Sequence, residues 1–175
     1  LAQSAAEPTP RHYRTAACDS LALGPGPEIS HIIRDYLVWP GRHSTRYSFF
    51  ADAACSLPLF TFQLSGASQD RGPGPQAGTR AVDVGFDRVL VTADSLQGLA
   101  MVGGCLPRGW EVGVQRDVTA AGCLFLKPKQ ACGRDHDILA VTETAMTPGF
   151  RTNNMCAPEG RPTRLQSAPA VRVQW

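Results

Sequence analysis

The 175-residue chain contains very little lysine and no long apolar run. Lys127 and Lys129 are the only lysines among its 17 basic residues, so arginine supplies almost all of the positive charge. Because the net charge is only +2 and no basic cluster occurs, the composition does not favour a nucleic-acid partner. No segment reaches the roughly 18 consecutive apolar residues of a membrane-spanning helix, so no transmembrane segment is expected.

Sequence motifs of common catalytic, phosphate-binding and metal sites are also missing. No G-x-S-x-G sequence frames a serine nucleophile, and the prolines of the GPGP segments remove the backbone N–H donors of a phosphate-binding loop. The sequence DHD at 135–137 is interpreted as a turn with solvated carboxylates, in preference to a metal site, because Gly133 precedes it. Asp117 is expected to accept hydrogen bonds within its own turn. The sequence therefore predicts a protein that is not an enzyme and holds no cofactor or metal.

Cysteine, in contrast, is well represented, with six residues. None form C-x-x-C, and the four histidines do not lie at metal-ligand spacing from them, so disulfides are favoured over a zinc site. Disulfides persist in oxidising compartments, which predicts a secreted protein or one in the lumen of the secretory pathway. The start at Leu1 rather than at Met indicates a processed or trimmed chain and is compatible with a removed signal peptide. The residues alone leave the pairing of the cysteines open.

Short segments of alternating apolar and polar residues dominate the rest of the chain and predict strands. These strands are expected at 29–39, 46–55, 59–66, 80–92 with a bulge at 87–88, 110–114, 123–127, 137–145 and 170–175. The glycine- and proline-rich segments 21–28 and 67–79 are predicted to be exposed loops. One helix is expected at 93–102, capped by Asp94 or Thr92.

This pattern favours an all-β fold, an antiparallel sandwich or barrel of about seven to nine short strands with one short helix. Residues 1–13 are expected to form an N-terminal arm, and residues 14–175 a single β-barrel domain. The barrel interior is predicted to receive seven apolar side chains: Phe49, Phe60, Phe62, Phe86, Trp110, Val112 and Val114. In a small barrel such residues fill the core, whereas in a wider one they line a ligand cavity, and both possibilities remain open.

The segment GWEVGVQRDVTAAGC at 109–123 carries a resemblance to a known family. With Cys105 upstream, it resembles the domain of the adenomatosis polyposis coli down-regulated proteins, which are secreted or membrane-anchored antagonists of Wnt signalling. The matching positions are Cys105, Trp110, Gly113, Asp117, Val118, Thr119, Gly122 and Cys123. Weaker matches keep the family's order at Arg34, Tyr36, Asp52, Cys55, Pro58, Phe60, Gly66, Gly78, Thr79, Val89, Thr92, Arg161, Pro162, Thr163 and Pro169. The resemblance covers roughly residues 14–173, one of the two units that members of the family carry.

The resemblance implies an antiparallel β-barrel that encloses an apolar cavity, with a lipid or the acyl chain of an acylated protein as its ligand. It also implies the disulfides Cys18–Cys55 and Cys105–Cys123, which leaves Cys132 and Cys156 as a third bridge.

Two hypotheses for the function follow. In the first, the protein is an extracellular binding module that holds an acyl chain or similar apolar ligand inside the barrel. In the second, it is an extracellular structural or assembly subunit with a filled core, which contacts other proteins through its arms and loops.

Overall fold

Residues 8–22 and 29–174 are described by the structure, a computed structural model. The part of the chain that it describes forms eleven strands in one sheet. The strands are β1 (Arg11–Thr15), β2 (Asp19–Ala22), β3 (Ile29–Trp39), β4 (Arg42–Phe50), β5 (Pro58–Pro73), β6 (Arg80–Gly85), β7 (Arg88–Ala93), β8 (Gln115–Asp117), β9 (Arg134–Val141), β10 (Ala145–Pro148) and β11 (Ala170–Arg172). A helix, α1 (Leu96–Val102), follows β7, and one 3₁₀ turn spans Pro158–Gly160.

Eight of the strands close into an antiparallel barrel in the order β3-β1-β11-β10-β9-β6-β5-β4, with β4 returning to β3. The remaining three extend from this ring, because β2 pairs with β3, β7 with β5, and β8 with β7. The predicted all-β barrel with one short helix is confirmed. Strand β1 begins at Arg11, so the last residues of the predicted arm belong to the barrel, while residues 1–7 lie outside the described part.

Strand β5 changes its partner halfway along its length, and this explains an error in the sequence prediction. It pairs with β7 from Phe60 to Ser65 and with β6 from Ser68 onward. Gly66 lies at the change, where a Cβ would collide with the carbonyl oxygen of Gly85. The prediction of a loop over 67–79 is therefore wrong for its first half. Although this segment is rich in glycine and proline, its backbone N–H and C=O groups form hydrogen bonds with β6. The predicted loop at 21–28 lies mostly outside the described residues, and its first two positions belong to β2.

The predicted strand at 110–114 is also wrong, because these residues form a turn before β8. Both Gly109 and Gly113 have positive φ, 83° and 82°, which breaks the extended conformation that the alternation suggested. The Gly113 N–H donates to the Ala93 carbonyl at 2.8 Å, so the turn rests on the end of β7. The predicted strand at 123–127 is likewise a tight turn, in which Cys123 and Leu126 exchange backbone hydrogen bonds of 2.8 and 2.9 Å.

Helix α1 packs on the first half of β5. Its N-cap is Ser95, whose hydroxyl oxygen accepts from the Gly98 N–H at 3.1 Å. The predicted cap residue Asp94 instead accepts a hydrogen bond from the Thr61 hydroxyl at 2.6 Å. Val102 is fully buried and joins a core cluster built around the phenylalanines of β4 and β5. No helix in the described ranges is long and apolar enough to span a membrane.

Three disulfides link the loops that leave the barrel. They join Cys18 to Cys55, Cys105 to Cys123 and Cys132 to Cys156, with Cα–Cα distances of 5.5, 5.0 and 5.3 Å. The pairing implied by the family resemblance is confirmed. Bridges that close loops of this size each stabilise a fold by roughly 3 to 4 kcal/mol through loss of chain entropy in the unfolded state.

Replacing Gly98 by alanine is expected to lower the free energy of unfolding by about 1 to 3 kcal/mol. The new Cβ would overlap the carbonyl oxygen of Leu59 and push α1 away from β5. Gly104→Ala is the matched control, because nothing lies within 4 Å of a Cβ there. Chemical denaturation followed by circular dichroism measures both variants, and equal stabilities would contradict the close packing of α1 on β5.

Candidate functional site: the barrel interior

The closed barrel contains a cavity of about 280 Å³. Successive side chains of a strand point to opposite faces, so every second residue of each barrel strand faces inward. On β3 these are Ile32, Arg34, Tyr36 and Val38, the alternate set that the sequence pattern places together. The apolar part of the wall consists of Ile32, Val38, Phe49, Leu64, Val82, Val84, Phe86, Leu139 and Met146.

Four of the seven residues predicted for the interior lie in or beside the cavity. Phe49 and Phe86 line it. Phe60 and Phe62 are buried in the adjoining core, with ring centroids 4.8 and 6.2 Å from that of Phe49. These four residues lie on strands or at a strand end, where the alternation correctly indicates the buried face.

The other three predicted residues do not line the cavity. Trp110 packs against the core from outside the barrel, and its indole N–H donates to the Leu106 carbonyl at 3.1 Å. Val112 and Val114 are 43% and 40% exposed, so their interior placement is wrong. The reason is the turn between the two glycines of this segment, which removes the strand on which the prediction depended.

Phe125 is a lining residue that the sequence prediction missed. It lies in the tight turn that follows Cys123, with its ring 5.6 Å from Phe49 and 5.5 Å from Phe62 between centroids. Since it is still 36% exposed, Phe125 sits between the cavity and solvent. Its neighbour Leu124 has a φ of 51°, a left-handed conformation that the strand-like sequence CLFLK did not indicate.

The sequence DHD at 135–137 belongs to β9, so its interpretation as a solvated turn is wrong. Asp135 pairs with Val84 of β6 and Asp137 with Val82, which makes the segment an interior barrel strand. Both aspartates therefore point into the cavity, and His136 points to the opposite face. Flanking glycine misled the prediction, because pairing of this segment with β6 overrides a local turn preference.

Outside the barrel, His136 joins a cluster that fixes the C-terminal segment. Its Nδ1 lies 2.8 Å from Asp83 Oδ1, and Asp83 also accepts from Arg161 at 2.8 Å and Arg71 at 2.7 Å. Burial alone would raise the pKa of Asp83, but these hydrogen bonds outweigh it and lower the pKa to about 2. Asp83 therefore remains a carboxylate that anchors Arg161 to the sheet.

Two guanidinium groups that line the cavity are already paired. The exposed Arg151 places its Nη1 2.9 Å from Asp135 Oδ2. Arg34 is only 2% exposed, and it contacts Asp19 Oδ2 at 2.5 Å and the side-chain oxygen of Gln166. Each positive charge thus has a carboxylate partner, and for Arg34 this partner offsets the cost of burying the charge.

Asp137 is the third carboxylate near the cavity, and it makes no ion pair among the described residues. Its Oδ1 accepts from the backbone N–H groups of Ile138 at 2.7 Å and Gly149 at 3.1 Å. A Cβ at Gly149 would collide with this oxygen, so glycine permits the close approach. Burial raises the pKa of Asp137 to about 7, although the nearby charge of Arg151 and the two backbone donors act in the opposite direction.

Three other titratable groups of the wall, Tyr36, Tyr47 and His43, are uncharged at neutral pH. Burial raises the pKa of Tyr36 and of Tyr47, so both phenols keep their protons. Burial lowers the pKa of His43, whose Nε2 donates to the Gly85 carbonyl at 2.8 Å while Nδ1 accepts from the Thr45 hydroxyl at 3.2 Å. The interior therefore combines a broad apolar surface with a small polar region.

Two further features are the turn at Asp117 and a group of possible metal ligands at Cys132, Asp135 and Cys156. Asp117 accepts from the Thr119 N–H at 2.9 Å and from its hydroxyl at 2.6 Å, which confirms its predicted role in its own turn. Cys132, Asp135 and Cys156 lie close enough together to suggest a metal site. The two sulfurs form a disulfide, however, so they offer no thiolate ligand.

Comparison with known proteins does not add an assignment. No protein-family model matches the chain, and no curated protein matches it either. The geometry of the barrel interior is therefore the basis for a functional proposal.

Asp137 makes the stability of the protein depend on pH in a direction opposite to that of most aspartates. The folded protein holds the Asp137 proton up to about pH 7, whereas an unfolded chain releases it near the ordinary value of 3.8. Stability should therefore fall as the pH rises from about 4 to about 7, by up to about 4 kcal/mol. Asp137→Asn keeps an acceptor for both backbone donors and cannot ionise, so it should remove most of this loss.

Urea denaturation at a series of pH values tests this expectation. Asp70→Asn is the control, because Asp70 is exposed and its hydrogen bonds with Arg80 lower its pKa. In the control, the free energy of unfolding should change with pH as it does in the wild type. If Asp137→Asn also showed the wild-type change, ionisation of Asp137 would not be its cause.

Proposed function

We propose that this protein is an extracellular, non-catalytic binding module that holds an acyl chain or similar apolar ligand inside its barrel. The observation that carries the proposal is the cavity of about 280 Å³, bounded by strands whose inward side chains are mostly aliphatic or aromatic. Ligand pockets in proteins begin at about 300 Å³, so the cavity suits a single slender chain better than a bulky ring system.

Burial of apolar surface supplies the binding energy in this proposal. Each CH₂ group moved from water into an apolar environment contributes about 0.8 kcal/mol, so a chain of moderate length binds without any reacting group. The wall offers suitable contacts at Val82 and Val84 on β6, Leu139 on β9 and Phe49 on β4. Since the cavity is preformed, little of this energy is lost in ordering the protein.

Two further observations support the extracellular setting and the class of ligand. Three disulfides are typical of proteins from oxidising compartments, in agreement with secretion. The resemblance to the adenomatosis polyposis coli down-regulated proteins favours a lipid, or the acyl chain of an acylated protein such as Wnt, as the ligand. That resemblance rests mainly on the segment 109–123 and supports the proposal from the sequence alone.

A second candidate function is a structural or assembly role through protein contacts. It is supported by exposed apolar residues near the end of the barrel that carries α1, namely Leu57, Leu96, Met101, Val112 and Val114. Backbone hydrogen bonds from Gly113 to Ala93 and from Asp94 to Leu59 hold these segments against that end. A protein partner with a complementary apolar surface would bind here and leave the cavity accessible.

Filling the cavity with a larger side chain tests the first proposal. Val84→Trp places an indole inside the barrel and is expected to weaken binding of dodecanol at least about tenfold, because the indole occupies the volume that the chain needs. Val171→Trp is the matched control, since Val171 is exposed on β11. Native mass spectrometry and isothermal titration calorimetry measure binding, and circular dichroism confirms that both variants fold.

Equal affinity of the two tryptophan variants for dodecanol would overturn the proposal that the ligand binds inside the barrel. Absence of binding to the folded wild-type protein would overturn it as well.

A further inference from the structure

The polar region of the cavity wall includes a carboxylate oxygen without a donor. Asp137 Oδ1 accepts two backbone hydrogen bonds, but Oδ2 has no hydrogen-bond partner among the described residues. Asp137 lies in the wall of the cavity, next to apolar neighbours such as Leu139 and Met146. A polar atom in such surroundings is costly when it lacks a partner, so this oxygen favours a ligand group that donates a hydrogen bond.

The guanidinium groups of the same wall already have acceptors. Arg151 Nη1 pairs with Asp135, and the two terminal nitrogens of Arg34 contact Asp19 and Gln166. Arg34 Nε has no partner but is shielded from solvent and from the cavity space. A ligand carboxylate would therefore compete with Asp135 or Asp19 for these groups, and it would also face the carboxyl group of Asp137.

We propose that the ligand carries a hydroxyl group at its polar end and that Asp137 binds this hydroxyl. The inference rests on the proposed function and specifies the class of ligand within it: long-chain alcohols and lipids with a free hydroxyl, in preference to fatty acids. A hydroxyl suits the site because it can donate to an ionised Asp137 and can accept from a protonated one.

Three ligands with similar alkyl chains and different polar groups show how the polar group affects binding. Dodecanol has a donor, its methyl ether has none, and dodecanoate carries a negative charge. At about pH 8 the wild-type protein should bind dodecanol roughly tenfold more tightly than either of the other two, as expected for one buried hydrogen bond to a polar acceptor. Isothermal titration calorimetry measures the three affinities on the same preparation.

The Asp137→Asn variant tests whether Asp137 binds the hydroxyl group of the ligand. Its side-chain oxygen can still accept from Ile138 and Gly149, which leaves an NH₂ group facing the cavity. Dodecanol should then lose most of its advantage over dodecanoate, because the amide donates to a carboxylate. Asp87→Asn is the control: Asp87 is exposed, pairs with Lys129 at 3.3 Å and does not line the cavity, so the ratio of affinities should remain that of the wild type.

The results distinguish this inference from the proposed function. A tenfold preference for dodecanol that disappears in Asp137→Asn supports the inference. If the three probes bind the wild type equally, or dodecanoate binds most tightly, and Val84→Trp still blocks them, the assignment of Asp137 is overturned while the proposed function stands. Failure of all three to bind would overturn both.

Discussion

Closure of the sheet by β1 is the constraint on which the rest of the structure depends. This five-residue strand pairs with β3 from Arg11 to Arg14 and with β11 from Tyr13 to Thr15, and so joins the two ends of the chain into one ring. Tyr13 is buried beneath the junction, and the Thr15 hydroxyl accepts from the Arg34 N–H at 3.0 Å. Without this strand, β3 and β11 would be open edges, and the inward faces of the barrel would lie in water.

Closure also explains the character of the interior. Once the ring is closed, most inward side chains of the strands are buried, whether they are apolar or not. Polar groups among them have partners or stay uncharged. Asp135 pairs with Arg151, the phenols of Tyr36 and Tyr47 keep their protons, and one oxygen of Asp137 accepts hydrogen bonds from two backbone N–H groups. The cavity remains because the inward side chains leave a volume of about 280 Å³ between them. The proposed function rests on this cavity and its largely apolar wall.

The sequence predicted the features that depend on local pattern. Alternation correctly indicated β3 and its two faces, the first half of β5 and the barrel class, because period-two burial is imposed by the pleat itself. Helical spacing of apolar residues indicated the helix, whereas the single bulged strand predicted at 80–92 is two strands, β6 and β7. It failed where pairing with distant strands overrides composition, as in the second half of β5 and at Asp137, and where glycine conformation breaks an apparent alternation, as at Val112. Phe125 was missed for a related reason, since its position depends on a left-handed residue in a turn. The disulfides came from the family resemblance, because spacing alone leaves their pairing open.

A crystal structure of the protein with dodecanol would test the central claim most directly. The account predicts electron density for the chain inside the ring of eight strands, in contact with Val84 and Leu139, with its hydroxyl within hydrogen-bond distance of Asp137. Density for the alcohol only on the outer surface, with the barrel interior unchanged, would contradict it.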